Sequence, residues 1–247
     1  MKAMILAAGV GSRLRPLTDL SPKALLEVGG APMIEQVVRR LKAAGVTDLV
    51  VNLFHLADQI VEFLAARDNF GLHIAFTREA GLLDTGGGLK NAAWFFDDGR
   101  PFFLHNVDVL SDIDLGELLR FHHTVGALAT LAVQNRPSAR QLVFDREGRL
   151  CGRVSPAGVE WAMGPRSAVE RLAFTGIHVI DPAIFPRMTE TGAFPITRTY
   201  LRLAGEGERI VAHRADGRYW QDIGSPEKLE EARRRAAGGA DVKQVRQ

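Results

Sequence analysis

Residues 6–18 read Leu6-Ala7-Ala8-Gly9-Val10-Gly11-Ser12-Arg13-Leu14-Arg15-Pro16-Leu17-Thr18. The stretch begins within a short apolar run, Lys2–Ala7, which we interpret as the first β-strand. Glycines let backbone amides approach an anion closely, and guanidinium groups bind phosphate oxygens in pairs. A strand that leads into a loop of small residues and arginines therefore predicts a cradle for a polyphosphate.

Two common phosphate-binding loops are excluded by spacing. A dinucleotide-binding fingerprint would need glycine where Leu14 stands, and no Gly-x-x-x-x-Gly-Lys-Ser/Thr string occurs in the chain. A dehydrogenase that uses a nicotinamide cofactor is therefore disfavoured.

The alternation of elements predicts an α/β fold. In the first half of the 247 residues, short apolar runs alternate with stretches of helical periodicity, such as Ala31–Ala44, which has Pro32 near its start and Gly45 after its end. This order is typical of a mostly parallel sheet with helices on both faces. Beyond about Asn135 the strands become shorter, which predicts a smaller, substrate-facing layer.

Composition excludes several classes of protein. Lysine and arginine number 31 against 29 acidic residues, and the net charge of +2 is too small for a nucleic-acid binder. No stretch approaches the roughly eighteen apolar residues of a membrane-spanning helix. The single cysteine, Cys151, excludes an intramolecular disulfide. We expect a cytoplasmic protein that binds neither nucleic acid nor membrane.

The glycine loop, together with Pro22-Lys23, resembles the signature of the sugar-nucleotide pyrophosphorylases, or sugar-1-phosphate nucleotidyltransferases. The resemblance implies a Rossmann-like fold of the nucleotide-diphospho-sugar transferase type. It also implies that Arg13 neutralises a nucleoside triphosphate and that Lys23 reaches the phosphates near the reacting atom. The residues implied to wrap the triphosphate are Leu6, Ala7, Ala8, Gly9, Gly11, Ser12 and Arg13.

Two aspartates stand at the ends of predicted elements. Asp108 follows the apolar run Pro101–Val107, at the carboxyl edge of a strand, where open α/β sheets bind ligands. Asp222 precedes a helix that Ser225 and Pro226 mark. Their contexts, Asn106-Val107-Asp108 and Trp220-Gln221-Asp222-Ile223-Gly224, resemble the family's metal-binding pair. The resemblance implies that Asp108 and Asp222 hold Mg²⁺, which needs only one or two carboxylates, and that Asp108 is catalytic.

A second glycine segment predicts the nucleobase site. Thr85-Gly86-Gly87 precedes a helix that we predict from Gly88 to Phe96, and its backbone leaves room for a flat base. The segment resembles the Glu-Thr-Gly-Gly-Gly of the branch that includes N-acetylmuramate 1-phosphate uridylyltransferase and mannose 1-phosphate guanylyltransferase, with Asp84 in place of the glutamate. The resemblance to this branch implies UTP or GTP as the nucleoside triphosphate. We assign Thr85, Gly86, Gly87 and Asn106 to the nucleotide.

The sugar site is predicted from the second half. Phe174-Thr175-Gly176 resembles the family's sugar-facing strand, which implies that Thr175 and Gly176 contact the sugar 1-phosphate. Asn135 follows a strand and is assigned to the same pocket, with a turn-forming role as the alternative. The family's Glu-Lys-Pro segment is absent, and either Arg140 or Arg153 is a candidate to replace its lysine.

We expect one domain over residues 1–237, with a nucleotide-binding core at 1–134, a sugar-facing part and C-terminal helix at 135–237, and a tail at 238–247.

The predicted reaction joins a sugar 1-phosphate to a nucleoside triphosphate and releases pyrophosphate. Two alternatives stay open: transfer to phosphocholine or another alcohol phosphate, and a non-catalytic nucleotide-binding regulatory subunit. The base, the sugar and the oligomeric state, including a homo-oligomer, also stay open.

Overall fold

The structure, a computed structural model, describes residues 1–164 and 168–244. In these residues the strands are β1 (Lys2–Leu6), β2 (Glu27–Val28), β3 (Ala31–Pro32), β4 (Asp48–Leu53), β5 (His73–Arg78), β6 (Phe102–Asn106), β7 (Val109–Ser111), β8 (Ala129–Gln134), β9 (Gln141–Phe144), β10 (Leu150–Ser155), β11 (Gly158–Trp161), β12 (Glu170–Ile180), β13 (Ile210–Arg214) and β14 (Trp220–Asp222). The α-helices are α1 (Leu17–Leu20), α2 (Met33–Ala43), α3 (Ala57–Ala65), α4 (Asp84–Asn91), α5 (Leu115–Val125), α6 (Ile196–Gly205) and α7 (Pro226–Gln244).

One large sheet organises the chain. Strands β5, β4, β1 and β6 lie side by side in that order and run parallel, and the long strand β12 continues the sheet antiparallel to β6. β8 pairs antiparallel with β12 and parallel with β13, while β9, β10 and β11 extend the sheet from the first half of β12. The predicted α/β fold with a mostly parallel central region is confirmed.

The central strands are buried on both faces, as parallel strands require. Ala3 and Ile5 of β1 lie in a core cluster with apolar residues of α2, α3 and α5. Met4, on the opposite face of the strand, lies in a second cluster with residues of α4 and α6. Alternation of side chains along each strand thus serves two cores, and the expected helices on both faces are present.

The bounds of three helices differ from the sequence-based expectation. α2 begins at Met33, since Pro32 pairs with Glu27 between β3 and β2. α4 begins at Asp84, so the three glycines lie inside the helix, where close packing compensates for their low helix propensity. α7 continues to Gln244, past the predicted start of a tail at residue 238. In the described ranges, no helix combines the length and the apolarity needed to cross a bilayer.

A small sheet that the sequence analysis did not predict joins distant parts of the chain. β7, which follows β6 closely, pairs antiparallel with β14, and Asp222 lies opposite Val109. Directly beyond this pairing, the N–H of Ile223 donates to the carbonyl oxygen of Asp108 at 3.0 Å. The centre of the large sheet is thereby fastened to the segment that precedes α7.

Four histidines are buried within the fold, and burial lowers the pKa most strongly for three of them, His105, His122 and His178. His105 and His178 lie in neighbouring strands, and the Nδ1 of His122 lies 2.9 Å from the hydroxyl of Thr130. Burial lowers the pKa of His105 and of His178 to about 3, and that of His122 to about 4. Folding therefore keeps these imidazoles neutral, as we expect for core histidines.

We expect the protein to lose stability as the pH falls from about 6.5 to about 4. In this range the unfolded chain protonates these histidines and the folded chain does not, so the free energy of unfolding falls by up to about 1.4 kcal/mol per pH unit for each of them. Urea denaturation between pH 4.5 and 7.5 measures this slope. His122→Gln should reduce this slope, because it removes one of the imidazoles whose pKa is lowered. An unchanged slope in His122→Gln would contradict the lowered pKa of His122.

Candidate active site

A cavity of about 540 Å³ opens at the carboxyl ends of β1, β4 and β6. From β1 the chain proceeds through β4 to β5 on one side and then returns to β6 on the other, so the strand order reverses here. Open α/β sheets bind ligands at this reversal point. Predicted site residues that line the cavity are Leu6, Ala8, Gly9, Lys23, Thr85, Asn106 and Asp108.

The glycine loop is shaped by its own hydrogen bonds. Gly11 has a φ of 64°, which favours glycine, and a side chain there would approach the methyl group of Thr18 to 2.8 Å. Its carbonyl accepts hydrogen bonds from the N–H of Leu14 and the hydroxyl of Thr18. The N–H of Ala7 donates a hydrogen bond to the side-chain oxygen of Asn52. Ala7 and Gly11 therefore hold the loop in shape, while Gly9 is exposed beside the cavity.

The two predicted metal ligands come from adjacent segments. Asp108 immediately precedes β7 and Asp222 ends β14, so the pairing of these strands and the hydrogen bond between Ile223 and Asp108 bring them together. Within the residues that the structure describes, no group of three or more His, Cys, Asp and Glu side chains is arranged to hold a metal ion. The candidate metal site thus consists of a pair of carboxylates.

Each of these carboxylates has a lysine partner. The ammonium of Lys23 pairs with Asp108, and that of Lys228 pairs with Asp222. Burial alone would raise the pKa of Asp222, but Lys228, the N–H of Gly224 and the charge of Lys23 outweigh it, so the pKa is lowered. Asp222 is therefore ionised at neutral pH, and the ammonium of Lys228 balances its charge.

Arg13 lies on the Asp222 side of the site. A side chain added at Gly224 would meet an oxygen of Asp222 at 2.6 Å and the guanidinium of Arg13 at 2.9 Å, so both groups flank this glycine. The neighbouring Leu14 is buried in a cluster with Ile223, which holds the loop against the C-terminal segment. Ser12 and Arg13 are exposed and do not line the cavity itself.

The glycines of α4 have a packing role. The N–H groups of Gly86 and Gly87 both donate to the carbonyl of Phe194, and a side chain at Gly86 would overlap the Phe194 ring. A side chain at Gly87 would lie 2.6 Å from the carbonyl oxygen of Gly192. These backbone donors, which we expected at the edge of a base, are already used. Of the predicted segment 85–87, Thr85 alone lines the cavity.

Sequence reasoning missed two buried polar residues that line the cavity. Asn52 accepts a hydrogen bond from the Ala7 N–H at 2.8 Å and donates to Glu79 at 2.7 Å. The other carboxylate oxygen of Glu79 accepts from the N–H of Leu83, just before α4. The network links the glycine loop to α4. An asparagine inside the apolar run Val50–Leu53 was the available signal.

The residues assigned to the sugar hold other groups in place. The hydroxyl of Thr175 is buried and donates to the carbonyl of Ala132 at 2.7 Å. The backbone carbonyl of Thr175 accepts from the indole N–H of Trp220 at 2.8 Å. Gly176 has a φ of 78°, and a side chain there would lie 2.5 Å from the amide of Asn106. Neither residue lines the cavity. Sugar contact by Thr175 and Gly176 stays a prediction.

Asn135 and the two candidate arginines lie further out. Asn135 is exposed, and its N–H donates to Asp216 at 2.7 Å, which agrees with the turn-forming alternative. Arg153 is paired with Glu160 between β10 and β11, and Arg140 is exposed. None of the three lines the cavity.

Comparisons with known proteins agree with this geometry. The sequence model of the family "Nucleotidyl transferase" matches residues 2–148. N-acetylmuramate alpha-1-phosphate uridylyltransferase from Neisseria meningitidis is 34% identical over 240 residues, which cover 94% of this chain and 96% of that protein. Mannose-1-phosphate guanyltransferase from Yarrowia lipolytica is 32% identical, and the match covers 92% of this chain. This match spans 61% of the guanyltransferase's length.

A solved structure has the same fold. UDP-glucose pyrophosphorylase complexed with UDP-glucose superposes with a TM-score of 0.77 at 20% identity, over 96% of this chain and 98% of that one. The family model covers more than half of the sequence, and the Neisseria relative matches nearly all of it. The chain therefore belongs to the nucleotidyl transferase family, as the motifs near both of its ends implied.

Proposed function

We propose that this protein transfers a nucleoside monophosphate from a nucleoside triphosphate to a sugar 1-phosphate, which yields a nucleotide-activated sugar and pyrophosphate. One observation carries the proposal: the pairing of β7 with β14 brings two carboxylates together beside a glycine loop, at the point where the strand order reverses. Family membership supports the reaction class.

The reaction needs positioning and charge neutralisation and no covalent protein nucleophile. An oxygen of the sugar phosphate forms a bond to the α-phosphorus, and the bond from that phosphorus to the bridging oxygen breaks. The electron pair leaves with pyrophosphate. Lys23 lines the cavity and neutralises charge at the reacting phosphate, while exposed Arg13 binds the departing pyrophosphate.

The donor set suits Mg²⁺. This ion takes one or two carboxylates and completes its octahedron with phosphate oxygens and water, so Asp108 and Asp222 would suffice to hold it. A lysine is paired with each carboxylate, and a bound ion would share or displace these contacts. When bound, Mg²⁺ would offset the negative charge that develops on the phosphates.

We favour UTP over GTP as the donor. The uridylyltransferase relative matches over 96% of its length, whereas the guanyltransferase match spans 61% of that protein. By the same argument, N-acetylmuramate 1-phosphate is the favoured acceptor, with mannose 1-phosphate as the second. We place the protein in the cytoplasm, since its single cysteine is a buried free thiol and the reaction uses nucleoside triphosphates.

A substrate grid tests the proposal. Pyrophosphate release is measured for UTP, GTP, CTP, ATP and dTTP against N-acetylmuramate, mannose and glucose 1-phosphates and phosphocholine, with Mg²⁺ and with EDTA. We expect Mg²⁺-dependent release with a sugar 1-phosphate. Release with phosphocholine alone would favour the alternative acceptor, and nucleotide binding without release for any acceptor would favour a regulatory subunit.

Replacing either carboxylate should abolish turnover without unfolding the chain. We expect Asp108→Asn and Asp222→Asn each to lower kcat by about 100-fold or more, because a neutral amide holds a cation poorly. Circular dichroism should show an intact fold. Asp112→Asn is the matched control, because the asparagine can still accept the hydrogen bond from the N–H of Tyr219. Near-normal pyrophosphate release by Asp108→Asn would refute the assignment.

Removing Lys228 should strengthen metal binding. Its ammonium occupies one oxygen of Asp222, so a divalent cation competes with it, and Lys228→Gln removes the competitor. We expect the Kd for Mn²⁺, measured by electron paramagnetic resonance without substrates, to fall several-fold. Lys42→Gln, whose lysine donates to the carbonyl of Phe70, is the control. Unchanged or weaker Mn²⁺ binding would contradict the competition.

A further inference from the structure

A half-buried arginine that the sequence analysis did not single out lies between β12 and β14. Arg136 follows β8, and its Nη2 donates to the carbonyl of Phe174 at 3.1 Å. Its guanidinium carbon lies 3.5 Å from the ring centroid of Trp220. Because the Trp220 indole itself donates to the carbonyl of Thr175, the guanidinium is fixed against the strand that the sequence analysis assigned to the sugar.

The same guanidinium is close to the candidate metal site. Trp220 and Asp222 are two residues apart in β14, so their side chains point to the same face of that strand. Burial lowers the pKa of Arg136, and the charge of Asp222 opposes that effect, which indicates that the two groups interact. Arg136 therefore places positive charge beside Asp222, on the β12 side.

The hydrogen-bonding capacity of Arg136 is mostly unused. A guanidinium carries five N–H donors. In the described part of the chain, Arg136 makes one hydrogen bond, to the carbonyl of Phe174. Its Nε is buried and has no acceptor among residues 1–164 and 168–244. A buried, charged donor without an acceptor is costly, so the position favours an anion that completes its hydrogen bonds.

The position distinguishes which phosphate this anion belongs to. The glycine loop and Arg13 follow β1, Lys23 is paired with Asp108, and Lys228 is paired with Asp222. Arg136 instead follows β8, on the other side of β12 from the glycine loop in the strand order. Arg136 is therefore anchored on the strand that the sequence analysis assigned to the sugar, and it comes from a different segment than the groups assigned to the triphosphate.

Resting on the proposed function, we propose that Arg136 binds the phosphate of the sugar 1-phosphate, in place of the lysine of the absent Glu-Lys-Pro segment. A planar guanidinium can hold two phosphate oxygens at once while Trp220 covers its face. Neither Arg140 nor Arg153, the candidates from sequence, lies in such a setting: the first is exposed and the second is paired with Glu160.

Steady-state kinetics of Arg136→Gln and Arg136→Lys test this assignment. The assays use UTP with N-acetylmuramate 1-phosphate, or the pair with the highest turnover in the substrate grid. We expect the KM for the sugar 1-phosphate to rise about 10- to 100-fold in Arg136→Gln, as for loss of a charged hydrogen bond. Arg136→Lys keeps the positive charge, so its KM for the sugar 1-phosphate should rise less than that of Arg136→Gln. The KM for the nucleotide should stay within about twofold, because its phosphates lie elsewhere.

The controls separate binding from structural support. Arg140→Gln and Arg153→Gln should leave both KM values unchanged, and all variants should melt within a few degrees of the parent protein. A purely structural role for the Arg136 stack on Trp220 predicts lower Tm and similar losses for both substrates, which would overturn the proposal. So would a larger rise in the sugar 1-phosphate KM for Arg140→Gln or Arg153→Gln.

The failure of each proposal has its own signature. If the parent protein releases pyrophosphate with a sugar 1-phosphate and Arg136→Gln has a normal KM for it, the assignment of Arg136 is wrong and the proposed function stands. If the parent protein releases no pyrophosphate with any sugar 1-phosphate, both proposals fall.

Discussion

The hydrogen bond from the N–H of Ile223 to the carbonyl of Asp108, with the β7–β14 pairing beside it, is the constraint on which the site depends. The large sheet by itself brings the glycine loop to the carboxyl end of β6, since β1 and β6 are neighbours. It does not bring Asp222 there. The three-residue antiparallel pairing of β14 with β7 brings Asp222 there from near the end of the chain.

The electrostatics of the site are local. The net charge of the chain is +2, yet several charged groups converge where β7 meets β14. Lys23 comes from the N-terminal segment and Lys228 from α7, and each neutralises one carboxylate. Arg13 and Arg136 approach Asp222 from different segments. Polyanionic substrates would thus meet a concentrated field on a protein that is nearly neutral as a whole.

The sequence predicted what local patterns encode. The apolar runs and helical periodicity indicated the α/β sheet, and the motifs around Arg13, Asp108 and Asp222 indicated the family. It did not predict β7 and β14, because three-residue strands carry too little periodicity to be recognised. The roles of Asn52, Glu79 and Arg136 depend on partners far along the chain, which no spacing rule reveals. The glycines of α4 were recognised, but their packing against Phe194 required the folded chain.

The contact between α4 and the segment at Phe194 bears on how the protein forms during synthesis. α4 has eight residues, three of them glycine, and so has little helical stability of its own. Its first turn is held by the carbonyl of Phe194 and by the bond from the Ile196 N–H to Thr85. While the ribosome has delivered only the first half of the chain, this wall of the cavity lacks its support. The pocket is therefore completed late, after the residues around 194 have emerged.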